Sequence, residues 1–289
     1  GEYESAIEDF SHLLELDPEE VDAYVNRAVS HIALQEFDEA QDDLETALSL
    51  EPDNPEVHYT TGNLYNAWSQ PEEAIPYYET AVALNPGYVS AWLNLGMVQN
   101  TTGALDEALD SYNTALSLSP GNATALYNRG LTHIALGENE RAIADFSAVI
   151  EASPDSYASY YRRAIAYQQM GDIEAAMEDI NTTIELQPNL ADAYNRRAIL
   201  HYANDENEEA LADWAKTSEL APDFPDAYYN QGLVYFQLGD TEQAPPLLDK
   251  AIELNPDFVD ALMTRGNLNA GENAYDAAVE DFSAVIALQ

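Results

Sequence analysis

The chain has 289 residues, with fifty-three acidic side chains against ten basic ones and no cysteine. A formal charge of −43 repels phosphate backbones and anionic lipid, which sets nucleic acid and membrane surfaces aside as partners. Without cysteine there is no disulfide framework and no thiolate chemistry, and the redox compartment stays open.

The first residues, Gly1-Glu2-Tyr3-Glu4, enter a helical pattern with no basic or apolar leader, so no signal peptide is expected within these residues. The apolar runs fall far short of a membrane span, so no direct membrane insertion is expected. From Pro18 a proline returns every 34 residues, at Pro52, Pro86, Pro120, Pro154, Pro188, Pro222 and Pro256. Ala6, Ala40, Ala74, Ala108, Ala142, Ala176, Ala210, Ala244 and Ala278 keep the same step, a small side chain where two helices press together. The chain is therefore a one-dimensional array that grows by stacking neighbour on neighbour.

In chain order, residues 1–20 hold one second helix, a half repeat. Residues 21–54, 55–88, 89–122, 123–156, 157–190, 191–224 and 225–258 each hold a helix, a turn and a helix, and 259–289 form the last repeat. In the repeat at 157–190, apolar and aromatic residues recur at helical spacing from Tyr157 to Met170, Gly171-Asp172 interrupts, and the pattern resumes from Ile173 to Leu186. Gly103, Gly137, Gly171 and Gly239 tolerate positive φ after the first helix, and Asp172 or Asp240 can cap the second. The proline then forbids continuation, having no amide hydrogen and biasing its predecessor away from helix. The last helix, Tyr275 to Leu288, is apolar on two faces, through Ala278, Phe282 and Val285 and through Val279 and Ile286, and expects a neighbour. Either a longer solenoid continues there or copies stack end to end into a filament.

The repeat Val89 to Asn122 carries Trp92, Leu95-Gly96, Ala108, Tyr112, Ala115 and Pro120, and Gly62, Gly130, Gly232 and Gly266 keep its frame elsewhere. Over its whole length the pattern resembles the tetratricopeptide repeat family. One family position, usually tyrosine, varies here as His31, Tyr65, Gln99, His133, Tyr167, His201, Tyr235 and Asn269. The resemblance implies an all-α, right-handed superhelical solenoid whose first helices line a concave groove, with their fifth and sixth positions facing a bound peptide. On those positions, and within that implication, the expected groove residues are Asn26, Tyr59, Asn94, Tyr127, Asn128, Tyr161, Arg162, Arg196, Tyr229 and Asn230. Asparagine can donate to and accept from an extended backbone while tyrosine rings pack its side chains.

Seven of the ten bases, Arg27, Arg129, Arg162, Arg163, Arg196, Arg197 and Arg265, occupy the sixth or seventh place of a first helix. Co-chaperone members of the family clamp a C-terminal carboxylate with lysines, asparagines and an arginine. Asn128 and Arg162 agree with that set, whereas Leu93, Met97 and Ala158 replace its other members, so the clamp is incomplete. Arg162 and Arg196 could still bind a carboxylate bidentately, while arginine at the seventh place serves equally as a packing and pairing residue.

The acids gather around the second helices, as in Asp38-Glu39, Asp42-Asp43, Asp205-Glu206 and Glu208-Glu209, and are expected on the solvated side. No calcium loop, phosphate loop, nucleophile elbow or metal-binding helix motif occurs, and no cofactor or metal is expected. His31, His133 and His201 share one register position, two or more repeats apart, too distant to form a catalytic or metal cluster, and replace the usual tyrosine in packing. Three sequons, at Asn100, Asn122 and Asn181, would accept N-glycans in a secreted protein, with Asn122 in a turn between repeats. Lysine poverty and absent cysteine suit an extracellular or cell-surface protein without requiring one. The expected function is a non-catalytic scaffold that binds a protein or peptide segment; the alternative is a structural protein that self-associates through its ends.

Overall fold

The computed structural model of the protein describes residues 1–288, among which seventeen α-helices and no strand occur. Gln289, which closes the expected last repeat, lies outside the described residues. A lone helix α1 (Glu2–Leu16) comes first. Four hairpins follow: α2 (Val21–Leu34) with α3 (Phe37–Leu50), α4 (Pro55–Ala67) with α5 (Pro71–Leu84), α6 (Val89–Thr101) with α7 (Leu105–Leu118), and α8 (Ala123–Ala135) with α9 (Asn139–Ala152). Four more complete the fold: α10 (Tyr157–Met170) with α11 (Ile173–Leu186), α12 (Ala191–Ala203) with α13 (Asn207–Leu220), α14 (Pro225–Gln237) with α15 (Ala244–Leu254), and α16 (Val259–Gly271) with α17 (Tyr275–Leu288). The fold is an all-α helical repeat solenoid. It divides into two compact units, Gly1–Pro154 with α1 to α9 and Asp155–Gln289 with α10 to α17.

Within each unit a first helix packs on the second helix of its own hairpin and on the second helix before it. The close approach within a hairpin comes from small residues. Ala40, Ala74, Ala108, Ala142, Ala176, Ala210 and Ala244 are wholly buried. On the facing first helix, Gly130 leaves room for the Phe146 ring: a Cβ there would stand 2.8 Å from it. Tyr112 and Tyr78 fill the same role against Gly96 and Gly62 and are almost fully buried.

The residue that turns each first helix into its second has positive φ throughout. Gly103, Gly137, Gly171 and Gly239 do so at 84°, 74°, 80° and 73°, and Gln35, Ser69, Asp205 and Asn273 hold the same place at 61–63°. Asp172 caps α11 by accepting from Ala175 N at 3.1 Å. Asp240 instead accepts from Glu242 and Gln243 N in the turn before α15, which starts only at Ala244. At five of the eight prolines that follow a second helix, the proline carbonyl accepts a hydrogen bond from the side chain six residues on. Trp92 Nε1 reaches Pro86 O at 3.0 Å, Tyr194 OH reaches Pro188 O at 3.1 Å, and Tyr24 and Tyr228 repeat the bond. In those repeats the side chain helps to fix where the new repeat departs.

On α17, Ala278 and Val285 are buried against the hairpin, whereas Val279 is 61 % and Ile286 75 % exposed. Among the described residues no helix is long and apolar enough to cross a membrane.

Candidate functional site

The arginines separate into two groups according to a single step along the helix. At the seventh place, Arg129 donates Nε to Asp145 Oδ2 at 2.9 Å and Nη2 to Oδ1 at 2.6 Å, a parallel fork that matches the carboxylate plane. Its remaining Nη1 reaches back to Asn113 Oδ1 on α7 at 2.7 Å. One guanidinium thus ties α8 to the second helix of its own hairpin and to the one before. Arg27–Asp43, Arg163–Asp179, Arg197–Asp213 and Arg265–Asp281 repeat the pairing sixteen residues apart. Arg27, Arg197 and Arg265 also reach back, to Ser11, Asn181 and Asp249. The hydrogen bonds that each arginine donates to its aspartate raise the arginine's pKa, against a smaller opposing effect of burial.

This corrects the expectation that Asp43 is a solvated acid. It is 5 % exposed, as are Asp145 at 4 % and Asp179 at 5 %, because the second-helix position they share faces the core and an arginine meets it there. Asp38, Glu39, Asp42, Asp205, Glu206, Glu208 and Glu209 are exposed as expected. The signal was present in the sequence as a coincidence. Arginine at the seventh place and aspartate sixteen residues later occur together in five repeats and are both absent in three, at Thr61/Tyr77, Leu95/Ser111 and Gln231/Leu247.

At the sixth place, Arg162 and Arg196 follow no such pattern. The other eight bases each hold a carboxylate within 4.0 Å, and these two hold none among the described residues. The Arg162 guanidinium lies over the Tyr161 ring at 5.7 Å. Arg196 donates Nη1 to Gln168 Oε1 at 3.0 Å, and its buried Nε has no partner among the described residues. Both side chains are half-buried on α10 and α12 of the second unit. Tyr229 and Asn230 follow on α14, and Tyr229 packs its ring on Phe258 at 4.9 Å.

In the first unit the expected row is engaged from within. Asn94 donates to Asn63 Oδ1 at 2.8 Å and to Tyr59 OH at 3.3 Å, and the Tyr59 ring leans on Tyr88 at 4.8 Å. Tyr127 meets Phe146 edge-on at 5.6 Å, and Asn26, exposed, donates to Asp22 O at 2.7 Å. Asn128 stands half-buried on α8. The histidines do more than fill space: His133 Nδ1 lies 2.7 Å from Glu138 Oε2 and its Nε2 3.9 Å from Asp145, beside the Arg129 fork. That contact, with a smaller one from Arg141, holds the Glu138 carboxyl below its ordinary range against slight desolvation. His31 and His201 repeat the contact with Glu36 and Glu206.

Of the sequons, Asn100 lies within α6 and donates to Thr132 Oγ1 at 2.7 Å. Asn181 lies exposed within α11 and accepts from Arg197, and Asn122 caps α8 through Ala125 N at 3.0 Å. No group of three histidines and carboxylates among the described residues could hold a metal ion.

Models of the tetratricopeptide repeat match residues 1–64, 69–123, 110–157, 127–191 and 225–258, and one described as the TPR repeat matches 201–239. The chain belongs to the tetratricopeptide repeat family. Among solved TPR structures, YrrB, described as a TPR protein with an unusual peptide-binding site, is 25 % identical at a TM-score of 0.54, covering 65 % of this chain and 97 % of its own. MamA is 26 % identical at a TM-score of 0.54, over 56 % of this chain and 95 % of its own. A tetratricopeptide repeat protein from Parabacteroides merdae superimposes at a TM-score of 0.65 with 23 % identity, over 81 % of this chain and 93 % of its own, and shows the shared fold alone. Among curated proteins none matches the chain.

Proposed function

We propose that this TPR solenoid is a non-catalytic interaction scaffold that receives an extended partner segment on its first-helix face, with acidic side chains of that segment on Arg162 and Arg196. The TPR scaffold is typical of protein–protein interaction, and the family is generally non-catalytic. The peptide-binding site named for YrrB, a TPR relative at 25 % identity, supports the peptide reading.

One observation carries the acidic preference. In a chain of charge −43 every base except these two is matched with a carboxylate of its own, and the Arg196 Nε is buried without a partner. An unpaired buried donor of this kind costs about 1–3 kcal/mol, which a ligand carboxylate recovers through a bidentate bond. Asn230 supplies amide groups for the segment's backbone, and Tyr161 and Tyr229 flank the arginines. Asn26, Tyr59, Asn94, Tyr127 and Asn128 hold the corresponding places of the repeats in the first unit. The end-to-end reading draws on the exposed Val279 and Ile286 of α17, and the sequons would add glycans to it.

Fluorescence anisotropy of a labelled peptide of alternating glutamate and alanine, at physiological salt, tests the proposal. Arg162→Ala and Arg196→Ala each weaken binding by roughly tenfold, about 1.4 kcal/mol. Arg141→Ala, which removes an equal charge from an exposed site, leaves it within about twofold. Equal losses in all three variants, or equal binding of a glutamine–alanine peptide, refute the proposal. Light scattering on the same samples tests assembly: growth in mass with concentration and salt favours the filament.

A further inference from the structure

In the repeat that contains Leu95, the place held elsewhere by the arginine fork is open. A cavity of about 350 Å³ lies between α5, α6 and α7. Leu95 lines it where the other repeats carry arginine, and Ser111 lines it where they carry aspartate. Glu79 lines it at the place of Asn113, Asn181 and Asp249, the groups that accept the third bond of Arg129, Arg197 and Arg265. Both members of the fork are gone here, and Glu79 keeps an acceptor at the place of its third bond.

The other two repeats without the fork close this space differently. Tyr77 fills it by stacking on Tyr65 at 5.3 Å, and Gln231 folds back onto the Trp214 and Ala227 carbonyls. Around Leu95 nothing does so. Gln99, which lines the cavity, is 7 % exposed; its Oε1 accepts from Ser111 Oγ at 2.7 Å, and its amide nitrogen meets no partner among the described residues. A serine hydroxyl both donates and accepts, so a half-turn of the Gln99 amide keeps the Ser111 bond and presents a carbonyl oxygen to the cavity. Glu107 and Asp110 add carboxylates from α7, and neither they nor Glu79 hold an ion pair among the described residues. Val82 and the Trp92 ring supply an apolar wall for a methylene stem.

We infer that this cavity is a socket for an arginine side chain supplied by a protein partner, received by the carboxylates of Glu79, Glu107 and Asp110 beside the Gln99 amide. Guanidinium suits it better than ammonium: acceptors line it from three helices, Glu79 on α5, Gln99 on α6 and Glu107 and Asp110 on α7, and a planar fork of five donors can meet several of them at once. The socket is made from different residues than the Arg162 and Arg196 site and does not depend on it.

The experiment follows the Trp92 indole resonance while acetyl-Ala-Arg-Ala-amide is added, with the citrulline and lysine analogues as controls. The expected result is a saturable shift with arginine, at least about fivefold weaker with lysine and absent with citrulline. Leu95→Arg combined with Ser111→Asp fills the socket from within and abolishes the shift; Arg162→Ala leaves it unchanged. Should the filled variant fail to fold, Glu79→Gln combined with Asp110→Asn takes its place and weakens the shift by about tenfold. An equal response to arginine and lysine, any saturable response to citrulline, or a full response in the filled variant overturns the inference.

Discussion

Asp145 keeps a charge in a place where 4 % of its surface meets water, and it can do so because Arg129 supplies two parallel hydrogen bonds. Removing the arginine strands a buried carboxylate, which costs more than the pair itself contributes. Arg129→Ala is therefore expected to destabilise the protein by about 3 kcal/mol in thermal or denaturant unfolding, and adding Asp145→Ala recovers most of that loss. A double variant no more stable than the single one would show that the pair is not coupled. The buried tyrosines set an alkaline limit in a similar way. Burial pushes the Tyr78 and Tyr112 phenols well above their ordinary value of 10.0, and Tyr88 up to about 12. The fold keeps protons that the unfolded chain releases, so this stability is whole below pH 10.0 and is lost as pH climbs toward the folded values. Circular dichroism across that range should show unfolding that is less steep with pH in Tyr112→Phe. At this scale the sequence is only partly legible. The glycines opposite Tyr78 and Phe146 announce themselves by period. Asp43 does not, because nothing local distinguishes it from the exposed Asp42; only its partner sixteen residues away does.

The helix–turn–helix pattern was legible in the sequence, since the aromatic, glycine and proline positions each act through local backbone geometry. Tyr157–Met170 and Ile173–Leu186 have the bounds their pattern implies. The turns were less so, because half of them use a residue other than glycine. Gln35 holds φ at 62° in the place where Gly171 holds 80°. A side chain there costs roughly 1 kcal/mol that glycine avoids. Gln35→Gly should stabilise the protein by about that amount and Gly171→Gln should destabilise it equally, as read by denaturant midpoint. Overlapping midpoints would show that the turns tolerate either residue. Within the hairpin, Gly130→Ala puts a methyl 2.8 Å from the Phe146 ring and should cost about 1–3 kcal/mol, by the same assay.

For the molecule as a whole, the charge of −43, which already sets the ten bases against the fifty-three acids, opposes compactness. Raising salt from low to physiological levels shortens the reach of that repulsion to about 8 Å and should raise the melting temperature. Function was less legible than fold, because the groove positions carry tyrosine and asparagine whether they serve a ligand or, as between Tyr59 and Asn94, one another. What separates the candidates is pairing, which the sequence carries only as an aspartate sixteen residues on. Arg196 and Arg197 are neighbours in sequence with the same charge, one without a carboxylate and one forked to Asp213. Thermal melting of Arg196→Ala and Arg197→Ala, each with and without the glutamate–alanine peptide, tests this division directly. Arg197→Ala should melt lower alone yet still gain stability from the peptide, whereas Arg196→Ala should melt near the parent and gain nothing. A peptide-induced shift that persists in Arg196→Ala and disappears in Arg197→Ala would contradict the assignment of the two arginines.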